Sequence, residues 1–187
     1  KKIQGTLYLL GNLSIHINQF RLGSRANNLE IAIVGYGIVL SHYQPGSQDW
    51  AMTQGNLANA YIDRINGSRA ENLEQAIKYY QAALTVLTRE DFPEKWAGTQ
   101  NDLGNAYCRR IRGSRAENLE QAIKYYQAAL TVRTREDFPQ QWARTQYGLG
   151  SAYSTRINGS PAENLELGIE YYQAALTVVT REDFPED

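Results

Sequence analysis

The sequence contains few of the residues from which catalytic and metal sites are usually built. It has one cysteine and two histidines among 187 residues. A lone cysteine, Cys108, excludes an internal disulfide and a cysteine-based metal cluster. His16 and His42 lack the paired spacing of metal ligands, so we expect packing or surface roles for both. Phosphate-loop, dinucleotide-binding and nucleophile-elbow motifs are absent, and Cys108 has no histidine at related spacing. We therefore expect no enzyme activity, no cofactor and no metal.

An excess of one charge is also missing. The chain has 19 Lys and Arg against 20 Asp and Glu, for a net charge of −1, which does not favour a nucleic-acid partner. An uncharged stretch at residues 31–48 becomes polar from Ser41 onward and is too short for a membrane span. We expect a cytoplasmic protein without a membrane partner. The start, Lys1-Lys2-Ile3, has no Met and is typical of a piece of a longer polypeptide or of a processed product.

What the sequence does contain is internal repetition. The segment GSRAENLEQAIKYYQAALTV occurs unchanged at residues 67–86 and 113–132, and related copies begin at Gly23 and Gly159. Trp50, Trp96 and Trp142 lie one period of 46 residues apart. The pattern predicts four units, at about 1–45, 46–91, 92–137 and 138–182, with residues 183–187 as the start of a truncated further unit.

Each unit is predicted to contain two helices. Asp91-Phe92-Pro93-Glu94 resembles a capping box with proline in the first turn, and Asp137 with Gln140 repeats it. The first helix should then reach about Ile111. Ser114-Arg115-Ala116-Glu117 caps a second helix that should end near Thr134. Two helices of about 20 residues, each ~30 Å long, form a hairpin that must stack on its neighbours to cover its apolar face.

Two further sets of repeated residues have expected structural roles. Arg64, Arg110 and Arg156 recur one loop before Glu71, Glu117 and Glu163. We expect these pairs to tie each hairpin together, with an anion site as the alternative. The invariant aromatic residues are expected in the core between helices, namely Trp96, Tyr107, Tyr125 and Tyr126.

Leu103-Gly104-x-x-Tyr107, followed by Ala122-x-x-x-Tyr126-x-x-Ala129-Leu130, resembles the tetratricopeptide repeat, in which small residues let paired helices approach. The chain departs from the family pattern at Gln100, where the family often has Trp, and in its period of 46 residues. It is similar to long repeats of bacterial, especially cyanobacterial, multidomain proteins. The resemblance implies an all-α, right-handed solenoid of four hairpins and eight helices over residues 1–187, acting as a protein-interaction scaffold.

Differences between the two most similar units mark one face. Units 67–112 and 113–158 differ at ten of 46 positions, and seven of these follow helical spacing along the first helix. Free drift of exposed positions would also change the second helix, yet its polar positions, such as Gln75 and Gln121 or Lys78 and Lys124, are identical. We favour a binding face over drift after recent duplication, and both alternatives stay open at this point. The resemblance adds that first helices line the concave groove in which this family contacts its ligands.

The predicted site is this concave stripe. Asn amides suit the backbone of an extended peptide, and Arg109 and Arg144 could bind a carboxylate. A polar ladder with few apolar groups indicates a peptide or protein segment as the ligand. The candidate residues are Met52, Asn56, Asn59, Asp63, Gly98, Asn101, Asp102, Asn105, Arg109, Arg144, Tyr147, Ser151 and Thr155.

A structural role is the alternative function. The sequence reaches Phe184-Pro185, where a further first helix would begin, and we expect Leu176, Val178 and Val179 to be exposed there. Such an end could associate with a second copy, as in a spacer or self-associating arm of a larger protein.

Overall fold

The structure is a computed structural model that describes residues 2–19 and 23–178. Over these residues the secondary structure consists of eight α-helices without strands, which confirms the all-α class. The helices are α1 (Lys2–Gln19), α2 (Arg25–His42), α3 (Gln48–Asp63), α4 (Arg69–Leu84), α5 (Pro93–Arg109), α6 (Arg115–Leu130), α7 (Pro139–Ser154) and α8 (Pro161–Leu176).

The helices are grouped in two compact units, residues 1–88 and residues 89–187. In the first unit α1 packs on α2 and α3 on α4, with α2 against α3. In the second unit α5 packs on α6 and α7 on α8, while α6 and α7 join the two hairpins. Each unit therefore contains two of the four expected hairpins. The single solenoid over residues 1–187 stays a prediction, and the expected partial repeat at 183–187 lies outside the described residues.

The second helices begin as the sequence predicts. Gly113 has a φ of +78°, a left-handed conformation that glycine adopts without strain. The hydroxyl of Ser114 then accepts a hydrogen bond from the backbone N–H of Glu117 at 3.5 Å, and Ser160 accepts one from Glu163 in the same way. These caps satisfy N–H groups that have no partner inside the helix.

The predicted capping boxes of the first helices are wrong. The N-cap residues are Phe92 and Phe138, and neither makes a side-chain cap hydrogen bond. Proline occupies the first helical position, which places the start of the helix one residue later than an Asp cap requires. The carboxylate of Asp137 instead accepts a hydrogen bond from the hydroxyl of Thr134 at 2.9 Å.

The helices are also shorter than expected. Helix α5 ends at Arg109, before Ile111, and α6 ends at Leu130, before Thr134, with 17 and 16 residues, or about 24–26 Å. At the end of α6 the hydroxyl of Thr131 donates to the carbonyl of Ala128 at 2.7 Å. This local bond competes with continuation of the helix.

Glycine and tyrosine set the distance between helices in the second unit. A Cβ atom on Gly104 would lie 2.6 Å from the ring of Tyr126, and one on Gly150 would lie 2.8 Å from the ring of Tyr172. The small residues thus let the two helices of a hairpin approach, as expected from the resemblance. Tyr126 is buried among apolar residues of α6 and α7, which confirms its predicted core role. Tyr107 and Tyr125 stack at 5.3 Å but are only half-buried, as is Trp96.

The repeated arginines have partners other than those predicted. Arg156 binds Glu120 at 2.8 Å, and Arg64 binds Glu30 at 2.8 Å, so the predicted partners Glu163 and Glu71 are wrong for these two arginines. Each bound glutamate lies on the second helix of the preceding hairpin. The ion pair therefore joins successive hairpins within a unit. Inside its own hairpin Arg156 donates a hydrogen bond to Asn164 at 3.4 Å.

Candidate functional site

The second unit contains a cavity of about 950 Å³ between its two first helices and the end of α8. Helices α5 and α7 provide its polar groups, and α8 provides an apolar and aromatic wall. The lining residues are Asn101, Asp102, Asn105, Gln140, Ala143, Arg144, Tyr147, Tyr172, Ala175, Leu176 and Val178.

Five of the predicted stripe residues line this cavity: Asn101, Asp102, Asn105, Arg144 and Tyr147. Helical spacing explains why they meet. Residues 101, 102 and 105 lie on one side of α5. On α7, residue 147 is the repeat equivalent of 101, and residue 144 lies one turn before it. All five are among the positions that differ between the two similar repeats.

The other four stripe residues of this unit do not line the cavity. Arg109 and Thr155 are exposed, and Ser151 is half-buried. The hydroxyl of Thr155 donates to the carbonyl of Ser151 at 2.9 Å. Gly98 lies beside Arg133, whose Nη2 would be 3.5 Å from an added Cβ.

Asn101 contributes to packing within the unit. It is only 9% exposed, and its side-chain oxygen accepts a hydrogen bond from the hydroxyl of Thr145 on α7 at 3.0 Å. Arg133 donates to the same hydroxyl at 3.1 Å. The amide of Asn101 also donates to Asp102 at 3.3 Å. This side chain thus connects α5 to α7 and leaves little of its polar surface for a ligand.

Asp102 places a carboxylate at the cavity. Burial raises the pKa of Asp102, although the hydrogen bond from Asn101 and the charge of Arg133 oppose the change. Burial lowers the pKa of the Arg133 guanidinium. The charge of Asp102 raises this pKa, and the charge of Arg144 lowers it further. The charges at this end of the site are therefore only partly compensated.

Two aromatic rings also line the cavity. Tyr147 is 62% exposed, and its ring centroid lies 5.2 Å from that of Tyr172 on α8 at an angle of 56°. Arg144, one turn before Tyr147, is exposed. The site thus combines an amide, a carboxylate and a guanidinium with an aromatic and aliphatic surface.

The remaining predicted residues lie on α3 of the first unit, separate from this cavity. Met52, Asn59 and Asp63 are exposed and Asn56 is half-buried. Three of the four have partners inside the unit, since the sulfur of Met52 accepts a weak hydrogen bond from the amide of Gln48 at 3.9 Å. Asp63 pairs with Arg25 at 3.3 Å, and Asn59 accepts a hydrogen bond from the hydroxyl of Tyr80.

The cavity wall that α8 contributes was not among the predicted site residues. Tyr172 was not among the predicted stripe residues, and it is the repeat equivalent of Tyr126, which the structure buries. Gln140 was among the ten differing positions but outside the seven-residue stripe. Leu176 is exposed, as expected, and Val178 is half-buried, whereas Val179 lies outside the described residues.

Groups with metal or nucleophilic chemistry are scarce in the described residues. They contain no cluster of His, Cys, Asp and Glu that could hold a metal ion, and both histidines are exposed. Burial raises the pKa of the Cys108 thiol, which opposes formation of the nucleophilic thiolate. Among the helices of residues 2–19 and 23–178, none combines the length and apolar character that a membrane crossing requires.

Comparison with known proteins supports this architecture. The family model for the tetratricopeptide repeat matches residues 50–93 and 96–136, and the model for the Sel1 repeat, a related helical repeat, matches residues 143–177. No curated protein gives a significant match. The chain is similar in fold to the crystal structure of BtubC (BKLC) from P. vanneervenii, with a TM-score of 0.70 and 19% identity. The alignment covers 97% of this chain and 66% of that one.

Proposed function

Because the chain belongs to the tetratricopeptide-repeat family, we propose that it is a non-catalytic scaffold that binds an extended segment of a cytoplasmic partner protein. Tetratricopeptide and Sel1 repeats generally mediate protein–protein interaction and are typically non-catalytic. The bound segment lies along α5 and α7, in the cavity of the second unit.

The observation that carries this proposal is the convergence of variable residues. Five side chains that differ between nearly identical repeats line one cavity of about 950 Å³, a size suited to several residues of a ligand. The exposed polar positions of the second helices provide the contrast. Gln121 and Lys124 are exposed and identical to Gln75 and Lys78. Exposure alone therefore does not account for the differences on the first helices.

Selection from a random peptide display library tests the proposal with the full chain as bait. Replacing Arg144 and Tyr147 together by Ala removes two exposed cavity groups without touching the buried Asn101. Peptides selected on the unchanged protein should bind the double variant about tenfold more weakly or worse, measured by calorimetry. Replacing Lys124 and Gln127, which are exposed on α6, is the matched control and should have no effect.

Two results would overturn the groove assignment. One is the absence of any peptide selected above background. The other is selected peptides whose affinity is unchanged by the Arg144 and Tyr147 substitutions. Circular dichroism of both double variants establishes that the helices are retained.

Self-association is a second candidate function, which the exposure of α8 favours. Leu165 and Ile169 are 54% and 48% exposed, whereas their equivalents on α6, Leu119 and Ile123, are 0% and 5% exposed. On α6 this face is covered by α7, with Ile123 in a shared apolar cluster. Together with Tyr172 and Leu176, the exposed residues of α8 follow a spacing of four, three and four, which is the spacing of a helix–helix seam. We propose that a second copy covers this face if the chain acts as a self-associating arm.

Sedimentation velocity over a range of concentrations tests this second candidate. The unchanged chain should form a dimer as concentration rises, and the variant L165E/I169E should stay monomeric. The control variant I31E/V34E changes another pair of exposed apolar residues, on α2, and should still dimerise. A monomer at every concentration, or association that survives L165E/I169E, would eliminate α8 as the interface.

A further inference from the structure

The cavity brings together two residues that have no equivalent of the same chemistry in the neighbouring repeats. Asp102 stands where the other two similar first helices have Asn56 and Gly148, and Tyr147 stands where they have Gly55 and Asn101. Both line the same cavity, although they come from different helices, α5 and α7. The site therefore has one carboxylate and one exposed aromatic ring that the repeat pattern alone does not require.

The carboxylate of Asp102 has room for a further positive partner. One of its oxygens accepts the 3.3 Å hydrogen bond from Asn101. Asp102 forms no ion pair in the part of the chain that the structure describes. Burial raises the pKa of Asp102 more than Asn101 and Arg133 lower it. Asn101 and Arg133 therefore compensate the negative charge of Asp102 only in part, and a cation in the cavity would be attracted to this carboxylate.

The aromatic and apolar residues that line the same cavity suit the stem of a long basic side chain. Tyr147 and Tyr172 present two tilted rings 5.2 Å apart, and Leu176 and Val178 extend the apolar surface. Lysine and arginine place their methylene groups along such surfaces while the charged end reaches a polar partner. Aromatic faces add a cation–π attraction.

The positive charge of Arg144 repels a basic ligand. Its exposed position determines whether this repulsion exceeds the attraction to Asp102. Its side chain is exposed at the cavity, so water and salt screen its charge strongly. Arg133 acts on Asp102 from the protein side and is not among the cavity-lining residues. Glu94, which attracts Arg133, offsets part of that positive charge. The less solvated Asp102 therefore has the larger influence on a charge inside the cavity.

We infer that the cavity binds a lysine or arginine side chain of the bound segment, with its cationic end at Asp102 and its stem against Tyr147 and Tyr172. This inference rests on the proposed function. An acidic side chain in the same place would face the Asp102 carboxylate and is disfavoured. The ligand class is thus a basic peptide segment.

Parallel peptide selection on the full chain and on its Asp102→Asn variant tests this inference. Peptides from the unchanged protein should have Lys or Arg at one shared position, and those from the variant should lose that preference. Calorimetry then compares a selected peptide with its copy in which glutamine replaces the basic residue. The replacement should weaken binding to the unchanged protein about tenfold, and binding to D102N by less than about twofold. In E166Q, a charge control at an exposed residue of α8 outside the cavity lining, the preference should persist.

The outcomes separate the inference from the proposed function. If peptides are selected and respond to the Arg144 and Tyr147 substitutions but show no basic preference, the inference is overturned while the groove assignment stands. A basic preference that persists in D102N overturns the role of Asp102. If no peptide is selected at all, the proposed function fails, and the inference with it. Asn occupies the equivalent position 56, so D102N is compatible with the repeat, and circular dichroism verifies its folding.

Discussion

The hydroxyl of Tyr126 donates a hydrogen bond to the side-chain oxygen of Asn105, 2.8 Å away, and this bond joins the core of α6 to the wall of the candidate site. The same relationship recurs between Tyr80 and Asn59. Asn105 therefore uses its oxygen for packing and retains its amide N–H groups for a ligand. A position that varies between repeats thus has both a structural and a potential binding role.

Removing this hydroxyl with Tyr126→Phe should lower the free energy of unfolding by about 1 kcal/mol, because the bond to Asn105 and the weaker contact to the Cys108 sulfur at 3.8 Å are lost while the ring packing is kept. Urea denaturation followed by circular dichroism measures the change. Tyr172→Phe is the matched control, since the hydroxyl of Tyr172 makes no hydrogen bond within the described residues. Equal stability losses in the two variants would contradict a structural role for the bond to Asn105.

Gly148 is predicted to be intolerant of even one added carbon atom. A Cβ there would lie 2.7 Å from the ring of Tyr126, closer than carbon atoms pack, so Gly148→Ala should cost about 1–3 kcal/mol of unfolding free energy. Gly55→Ala is the control in α3, where an added Cβ meets no atom within 4 Å. That change should stabilise the protein by about 0.5–1 kcal/mol, because alanine favours the helix. Equal thermal midpoints for both variants would show that the close approach is not limiting.

The fold was predictable because the repeat displays the same physical signals several times. The serine that follows each glycine predicted where the second helices begin. The small residues in the repeat pattern predicted that the two helices of a hairpin pack closely. The predicted capping boxes failed because Pro93 and Pro139 occupy the first helical position themselves, so that Phe92 and Phe138, not the preceding Asp residues, are the N-caps. The partner of Arg156 was wrong because its true partner, Glu120, is distant in sequence and becomes close only when hairpins stack.

The candidate site was predictable only in part. Differences between repeats identified Asp102, Arg144 and Tyr147 as members of one surface, since helical spacing places them on facing sides of two similar helices. The same differences could not separate ligand contacts from packing. Asn101 differs between the repeats, yet its side-chain oxygen accepts a hydrogen bond from Thr145, a contact that depends on the neighbouring hairpin.

The ion pair between Arg156 and Glu120 should make stability depend on acidity. The hydrogen bond from Arg156 lowers the pKa of Glu120 below its ordinary value of 4.5, although burial opposes the change. The pair's contribution is therefore complete above pH 4.5 and is lost as the pH falls through the lower folded value. Glu120→Gln should reduce stability at neutral pH by up to about 1 kcal/mol, because the pair is partly solvated.

Urea denaturation between about pH 3 and pH 7 measures this dependence. The stability difference between the unchanged chain and E120Q should shrink as the solution becomes more acidic. Glu166→Gln removes an exposed carboxylate of α8 and serves as the control, with an expected change within about 0.5 kcal/mol at every pH. A constant difference between E120Q and the unchanged chain would show that the ionised pair does not stabilise the fold.

Asp102 should show the opposite pH dependence. Burial raises the pKa of Asp102 above its ordinary value of 3.8, so the folded protein holds this proton more tightly than the unfolded chain does. The resulting stability is greatest below pH 3.8 and is lost as the pH rises through the folded value. Asp102→Asn should therefore match the unchanged chain in acid and unfold at higher urea concentration near pH 7.

A D102N variant that is more stable yet binds basic peptides more weakly would separate the role of the carboxylate in ligand binding from its destabilising effect on the fold. If D102N is less stable than the unchanged chain near pH 7, Arg133 already compensates the charge of Asp102, and no uncompensated negative charge remains to attract a ligand.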